Sequence, residues 1–324
     1  LLIRNKNIKL ILNYVVGPLV FCILIYAIYN QIRQQSDWQQ SLEKILHVFN
    51  SENRNSLLLV FLLMFLNWGV EARKWQLALR PIGPIPFITS FKAIFSGTTM
   101  AFFTPNRIGE YVGRMLHIDK SKRLASIPLT IVCSMAQLLI TLTVGSIGLI
   151  FISSRLNVIF WINLLLYLVA GAAIVLTIFY FRLSWLIKWV ERMRGAGVLA
   201  RYVQVLEGFK ATILLRILSL SATRYLVFIV QYYLLFEVFG VKIDWWQTFW
   251  SVSVVFLVIA IVPSVAVLTE LGVRWESSME ILQLFSSNAA GILATSLSVW
   301  IINLVIPALI GSLLIFGLKF FRNT

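Results

Sequence analysis

The sequence predicts an all-α polytopic membrane protein. It reads as about six full transmembrane helices and two re-entrant segments, laid out as an inverted-topology repeat within a single integral membrane domain, 1–324. Three observations predict this. The chain is 59% hydrophobic with a mean hydropathy of +0.87, and 13% of its residues are charged, about half the charge of a typical soluble domain. Its apolar runs reach the roughly 20 residues that span a bilayer. One pattern also occurs twice at the same spacing: Phe91, then Pro105 and Glu110-Tyr-Val-Gly-Arg114, and again Phe249, then Pro263 and Glu270-Leu-Gly-Val-Arg274.

The elements follow in chain order. The first expected span is 10–29. Arg4, Lys6 and Lys9 precede it and place the N-terminus inside by the positive-inside rule. The run is too long for a signal h-region and lacks a small-residue cleavage site, so no cleavable signal is expected. Trp38, Leu42, Ile45, Leu46 and Phe49 recur at helical spacing, which predicts an amphipathic helix on the outer surface. Span 56–79 returns inside, with Arg73, Lys74 and Arg80 at its inner end. Segment 87–103 has basic residues at both ends, with Arg107, Arg114, Lys120, Lys122 and Arg123 beyond it. A segment with both ends inside must enter and turn back. Spans 124–152 and 157–181 come next, and 182–212 lies inside, rich in Lys and Arg. There Trp185, Leu186 and Trp189 mark a second surface helix. Span 213–239 leads outside. Segment 246–268 leads to an acidic stretch with Glu276 and Glu280, again outside, and is the second re-entrant element. Span 289–318 then delivers Lys319 and Arg322 to the inside. Both termini are thus cytoplasmic, and the halves are about 1–153 and 154–324. The surface helices offer contacts for a homodimer.

The net charge of +15 is read as topology plus attraction to anionic headgroups. Nucleic-acid binding is not expected, because the basic residues are spread over several loops beside the spans. Cys22 and Cys133 lie in separate spans and read as packing residues.

The candidate site residues cluster at the breaks. Pro105 interrupts the first re-entrant segment. Glu110 and Arg114 share a helical face at i and i+4, and Arg107 lies three residues before Glu110. Guanidiniums bind phosphate in a bidentate manner, so this group suits an anionic or zwitterionic headgroup, or else forms a loop salt bridge. Pro263, Thr269, Glu270 and Arg274 form the counterpart. Glu270 is either a proton-linked switch or a permanent partner of Arg274. Arg224 falls near the centre of its span, where an arginine must face protein or a water-filled cavity. It either contacts a headgroup or balances Glu110 or Glu270. Aligning Gly83 with Gly240 sets Arg224 opposite Asn67, and Glu71 lies one turn further on the same face. Trp300 and Asn303 precede Pro307 and Gly311. Asn303 reads as helix–helix glue.

Inverted repeats with broken segments frame the substrate sites of many transporters, so movement across a membrane is the expected activity. The sequence has no P-loop, no Cys/His cluster with metal-ligand spacing and no nucleophile elbow. No catalytic residues, metal or cofactor are therefore expected. Loops of about 30 residues are too short to form a soluble domain.

On these motifs the chain resembles the transmembrane region of lysylphosphatidylglycerol synthases, a flippase-like family. The resemblance covers nearly the whole chain. It rests on Asn67-Trp-Gly-Val-Glu-Ala-Arg-Lys-Trp75, Thr104-Pro-Asn-Arg-Ile-Gly-Glu-Tyr-Val-Gly-Arg114, Thr269-Glu-Leu-Gly-Val-Arg274 and Trp300-Ile-Ile-Asn303. Asn106 stands where that family more often has glycine. In the full synthases this region moves aminoacylated phosphatidylglycerol, and a soluble domain attaches the amino acid. No counterpart of that domain is found in these residues, so synthesis of the modified lipid is not expected. The resemblance implies a lipid flippase or translocase of the prokaryotic cytoplasmic membrane, without specifying its lipid. Arg107, Glu110, Arg114, Arg224, Glu270 and Arg274 would contact the substrate. Asn67, Glu71, Pro105, Pro263, Thr269, Trp300 and Asn303 would support them. The rival expectation is a non-transporting intramembrane enzyme of lipid-linked sugar or isoprenoid-lipid metabolism, or an assembly partner for one.

Overall fold

The computed structural model describes residues 54–104, 107–153, 155, 159–192, 201–262 and 267–316, with Tyr26, Tyr29, Gln39, Gln40 and Glu43. Most of the first expected span and its surface helix, Cys22, the two breaks at Pro105 and Pro263, and both basic termini lie outside the described residues. So do the side chains of Thr269 and Glu270.

Among the described residues the chain is all-helical, as expected. Helix α1 is Arg54–Ala78, α2 is Phe87–Ala101, α3 is Gly109–Met115, α4 is Ser126–Ser153, α5 is Ile159–Phe181 and α6 is Leu183–Arg192. In the second half α7 is Ala211–Val238, α8 is Trp245–Ile261, α9 is Val267–Leu282, α10 is Ala289–Trp300 and α11 is Ile306–Phe316. Five stretches are long and apolar enough to cross a membrane: α1, α4, most of α5, α7 and Ala289–Ile315. Helix α5 shows why. Phe160, Trp161, Tyr167, Leu168 and Ile174 are all exposed on it, a surface stable only against another apolar phase.

Local chemistry sets the helix ends. Asp244 caps α8, its Oδ1 accepting from Gln247 N at 2.8 Å while Gln247 reaches back to the Asp244 amide, a reciprocal capping box. Asn288 caps α10 through Gly291 N at 3.0 Å and donates to Phe239 O and Gly240 O. The expected unbroken span 289–318 contains a π-helical turn, Ile301–Val305. Pro307 explains it: a proline ring clashes with the carbonyl four residues back and lacks an N–H. The chain widens by one residue instead, and Ile306 N bonds to Ile301 O.

Packing builds a helical frame around the short elements. Helix α7 lies along α1 and also touches α4, α2 packs on α3 and α11, and α8 packs on α4 and α9. The α2–α3 and α2–α11 contacts are backbone-close. A Cβ on Gly113 would sit 2.6 Å from Gly97 Cα, and one on Gly311 would collide with the Phe95 carbonyl. Thr99 Oγ1 donates to Ala308 O at 2.6 Å across the second contact. The innermost side chains are large: Trp75, Trp275, Trp300, Tyr180 and Tyr232 are fully buried.

Candidate functional site

Helix α1 supplies the centre of the site. Asn67, Glu71 and Lys74 fall on one helical face at spacings of four and three, and all three are buried. Glu71 is the hub. Lys74 Nζ lies 2.6 Å from its carboxylate, Arg114 Nη2 3.0 Å and Arg224 Nη1 2.9 Å. Three cations from three helices therefore converge on one carboxylate whose side chain is 4% exposed.

Helix α7 brings Arg224, the fourteenth of its 28 residues, to this hub. Asn67 Oδ1 accepts from Arg224 Nε at 3.0 Å. The guanidinium also lies over the Trp68 ring, 5.0 Å from its centroid, and 5.5 Å from that of Phe228, a favourable placement for a cation. The counter-ion of Arg224 is thus Glu71. Glu110, one of the two partners expected from the sequence, is held instead by Arg114 and Arg107.

Helix α3 carries the first Glu–Arg motif as the spacing predicted. Arg114 bonds to Glu110 one turn back, and Arg107 Nε lies 3.8 Å from Glu110 Oε2. Arg114 is buried beneath the site, whereas the Arg107 side chain is 35% exposed. Arg107 has φ of +58°, a left-handed conformation unusual for a residue with a side chain. It marks the turn that sends α3 back along α2.

The second half contributes Arg274 from α9 and Asn303 from the π-helical turn. Arg274 Nη1 donates to Tyr232 Oη at 3.2 Å. Asn67 Nδ2 donates to Asn303 Oδ1 at 3.4 Å, and Asn303 Nδ2 to Val299 O, the interhelical role expected of it. A π-turn that aims a polar side chain into a site is a recurrent functional device.

Two adjoining cavities lie among these residues. The outer chamber, about 290 Å³, is bounded by Glu71, Lys74, Arg107, Glu110 and Arg224, with Gln137 and Thr141 of α4 opposite. Its wall reaches the surface at Ser134, Leu138 and Ala260, which are exposed. The inner pocket, about 50 Å³, is bounded by Arg107, Arg224, Arg274, Trp68, Trp300 and Asn303. Arg107 and Arg224 border both.

Of the residues read from the sequence, Arg107, Glu110, Arg114, Arg224, Arg274, Asn67, Glu71, Trp300 and Asn303 form one connected cluster. Pro105, Pro263, Thr269 and Glu270 cannot be placed beside them from the described residues. Lys74 is a correction. Read from the sequence only as a basic charge marking the inner end of its span, it is a buried partner of Glu71 within α1 and 1% exposed. Its spacing of three from Glu71 was the available signal. Trp68, Gln137 and Thr141 were also missed, and nothing in the local sequence marks them. No family model and no curated protein matches the chain, so the functional reading rests on this geometry.

Proposed function

We propose that the protein is a lipid flippase or translocase, moving a phospholipid-like or lipid-linked headgroup across the prokaryotic cytoplasmic membrane. The chains of the lipid stay in the bilayer while the headgroup passes through the polar chamber. The observation that carries this reading is a chamber lined by cations and carboxylates that opens sideways between apolar helix surfaces. Its mouth at Ser134, Leu138 and Ala260 is flanked by exposed Ile131, Ile261 and Val262. A water-soluble substrate would need no such mouth.

The inverted repeat and the re-entrant segments belong to the same proposal. Each half runs long helix, short apolar helix, Glu–Arg helix, long helix. The halves exchange contacts reciprocally: α2 packs on α11, and α8 packs on α4. Glycines serve both contacts, with Gly311 against Phe95 and Gly148 against Trp250. Gly83, before α2, and Lys122, after α3, line one cavity, as the two ends of an element that turns back would. Both termini are placed in the cytoplasm on the basic residues of the loops. The resemblance to lysylphosphatidylglycerol synthase membrane regions fits this reading. A partner-docking role for the Glu–Arg motif would call for exposed charges, and Arg114 is 3% exposed.

The test is reconstitution into liposomes with fluorescent lipids of several headgroups, followed by dithionite quenching of the outer leaflet. Protein-dependent quenching beyond half of the label is expected for at least one anionic or zwitterionic lipid. Quenching that stops at half for every headgroup defeats the proposal.

A further inference from the structure

The charge count of the site carries more than the presence of arginines. Lys74, Arg107, Arg114 and Arg224 surround Glu71 and Glu110 in one continuous ion-pair network. Four cations face two carboxylates. Arg274 adds a fifth cation at the inner pocket, so among the described residues the surplus is at least two positive charges. Cys133 lines the outer chamber without altering the count, and α8, α10 and the π-helical turn contribute Ala260, Trp300 and Asn303, none of them charged. Uncompensated charge held away from water is costly, so a ligand that carries two negative charges is favoured over one that carries a single charge.

Donors point the same way. The inner pocket is bordered by three guanidiniums and by Trp68 and Trp300, which are 3% and 1% exposed. Neither indole N–H has an acceptor among the described residues, although buried donors are nearly always paired. Phosphate oxygens accept from several donors at once, and guanidiniums bind them in a bidentate manner.

We infer that this site selects a phosphate dianion, a phosphomonoester or diphosphate headgroup, over the singly charged phosphodiester of common phospholipids. The inference deepens the flippase reading by naming its substrate class. A phosphomonoester loses its second proton near pH 6, so the selectivity has a pH signature of its own. Soluble phosphate offers the same chemistry as a lipid headgroup. The sideways mouth of the chamber favours the lipid.

The experiment has a binding arm and a transport arm, both on the full chain. Binding of phosphatidic acid, phosphatidylglycerol and inorganic phosphate is measured in neutral detergent between pH 5 and pH 8. At pH 7.5 phosphatidic acid is expected to bind about tenfold tighter than phosphatidylglycerol, worth about 1.4 kcal/mol, and this preference shrinks toward pH 5. Arg107→Gln removes one of the site's cations at a part-exposed position and is expected to reduce the preference severalfold. Lys188→Gln, at an exposed position of helix α6, controls for diffuse attraction and is expected to leave it unchanged. Equal binding of the two lipids, a preference flat with pH, or equal effects of the two variants overturns the inference. Inorganic phosphate that binds as tightly as phosphatidic acid overturns the lipid source. In the transport arm, movement of phosphatidylglycerol and phosphatidic acid at equal rates defeats the selectivity and leaves the flippase reading intact. Selective binding without movement of any lipid supports the dianion site and defeats the flippase reading.

Discussion

Glu71 accepts from Lys74, Arg114 and Arg224 at once, and this asymmetry separates what each residue contributes. Glu71→Gln strands three cations around a neutral amide. Removing one partner of a buried ion pair costs about 3–5 kcal/mol, so this variant is expected to unfold markedly earlier on heating in detergent. Arg224→Gln leaves Glu71 with two partners, and the Arg224 side chain is 15% exposed. Its stability loss is expected to be smaller, while lipid movement is lost because a headgroup contact has gone. Arg224→Lys is expected to recover little activity, since an ammonium cannot reproduce bidentate phosphate binding. Thermal unfolding and liposome quenching on the same preparations check all three. If Arg224→Gln moves lipid at the unsubstituted rate, its role is limited to balancing Glu71.

Among the elements, the α2–α3 hairpin is the most tightly specified. Gly113→Ala is expected to force the helices apart and to destabilise by about 1–3 kcal/mol, the usual cost of overpacking. Gly171→Ala on α5 is the contrasting case, because a Cβ there meets nothing within 4 Å. Helix propensity alone then applies, and a gain of about 0.5–1 kcal/mol is expected. Melting temperatures of the two variants are predicted to move in opposite directions. The far end of the hairpin is tied by Ser96 Oγ and His117 Nε2, 2.8 Å apart. Burial, and then the charge of Lys92, hold the His117 imidazole down at about 4 from its ordinary 6.5. A histidine depressed in the folded state contributes stability above its unfolded pKa and loses it as pH falls. Stability is therefore expected to decline between pH 6.5 and pH 4, and His117→Gln is expected to flatten that part of the profile. An unchanged slope in the variant rules out His117 as the cause.

For the whole molecule, the proposed topology makes a prediction independent of transport. Single cysteines at Gly83 and Lys120, in a background lacking Cys22 and Cys133, are expected to react with impermeant maleimide from the same side of the membrane. Labelling from opposite sides would mean that α2 and α3 together cross the bilayer, and the re-entrant proposal would fall. A cysteine at Trp246, which is exposed at the start of α8, is expected to label from the other side. That result would support the inverted relation of the two halves.

Much of the helical plan was legible in the sequence, because the signals that set it are local. Apolar runs longer than a bilayer requires marked α1, α4, α5 and α7 to within about two residues at each end. Proline and glycine punctuation marked the short elements, and the i, i+4 spacing of Glu110 and Arg114 marked their pairing. The cost of an arginine in a membrane required that Arg224 face protein or a water-filled cavity, and the spacing put Asn67 and Glu71 on one face. Which carboxylate would pair with Arg224 was decided only by tertiary structure. Glu71 lies 153 residues away in sequence, and only the packing of α7 along α1 brings the two within hydrogen-bonding distance. The same packing turned Lys74 from an apparent orientation-setting charge into a buried partner, because α2, α4 and α7 pack against α1. The two orphaned indole donors and the chamber mouth were likewise invisible in the sequence. A cavity is the space between elements, and its shape depends on how their surfaces meet rather than on any one segment.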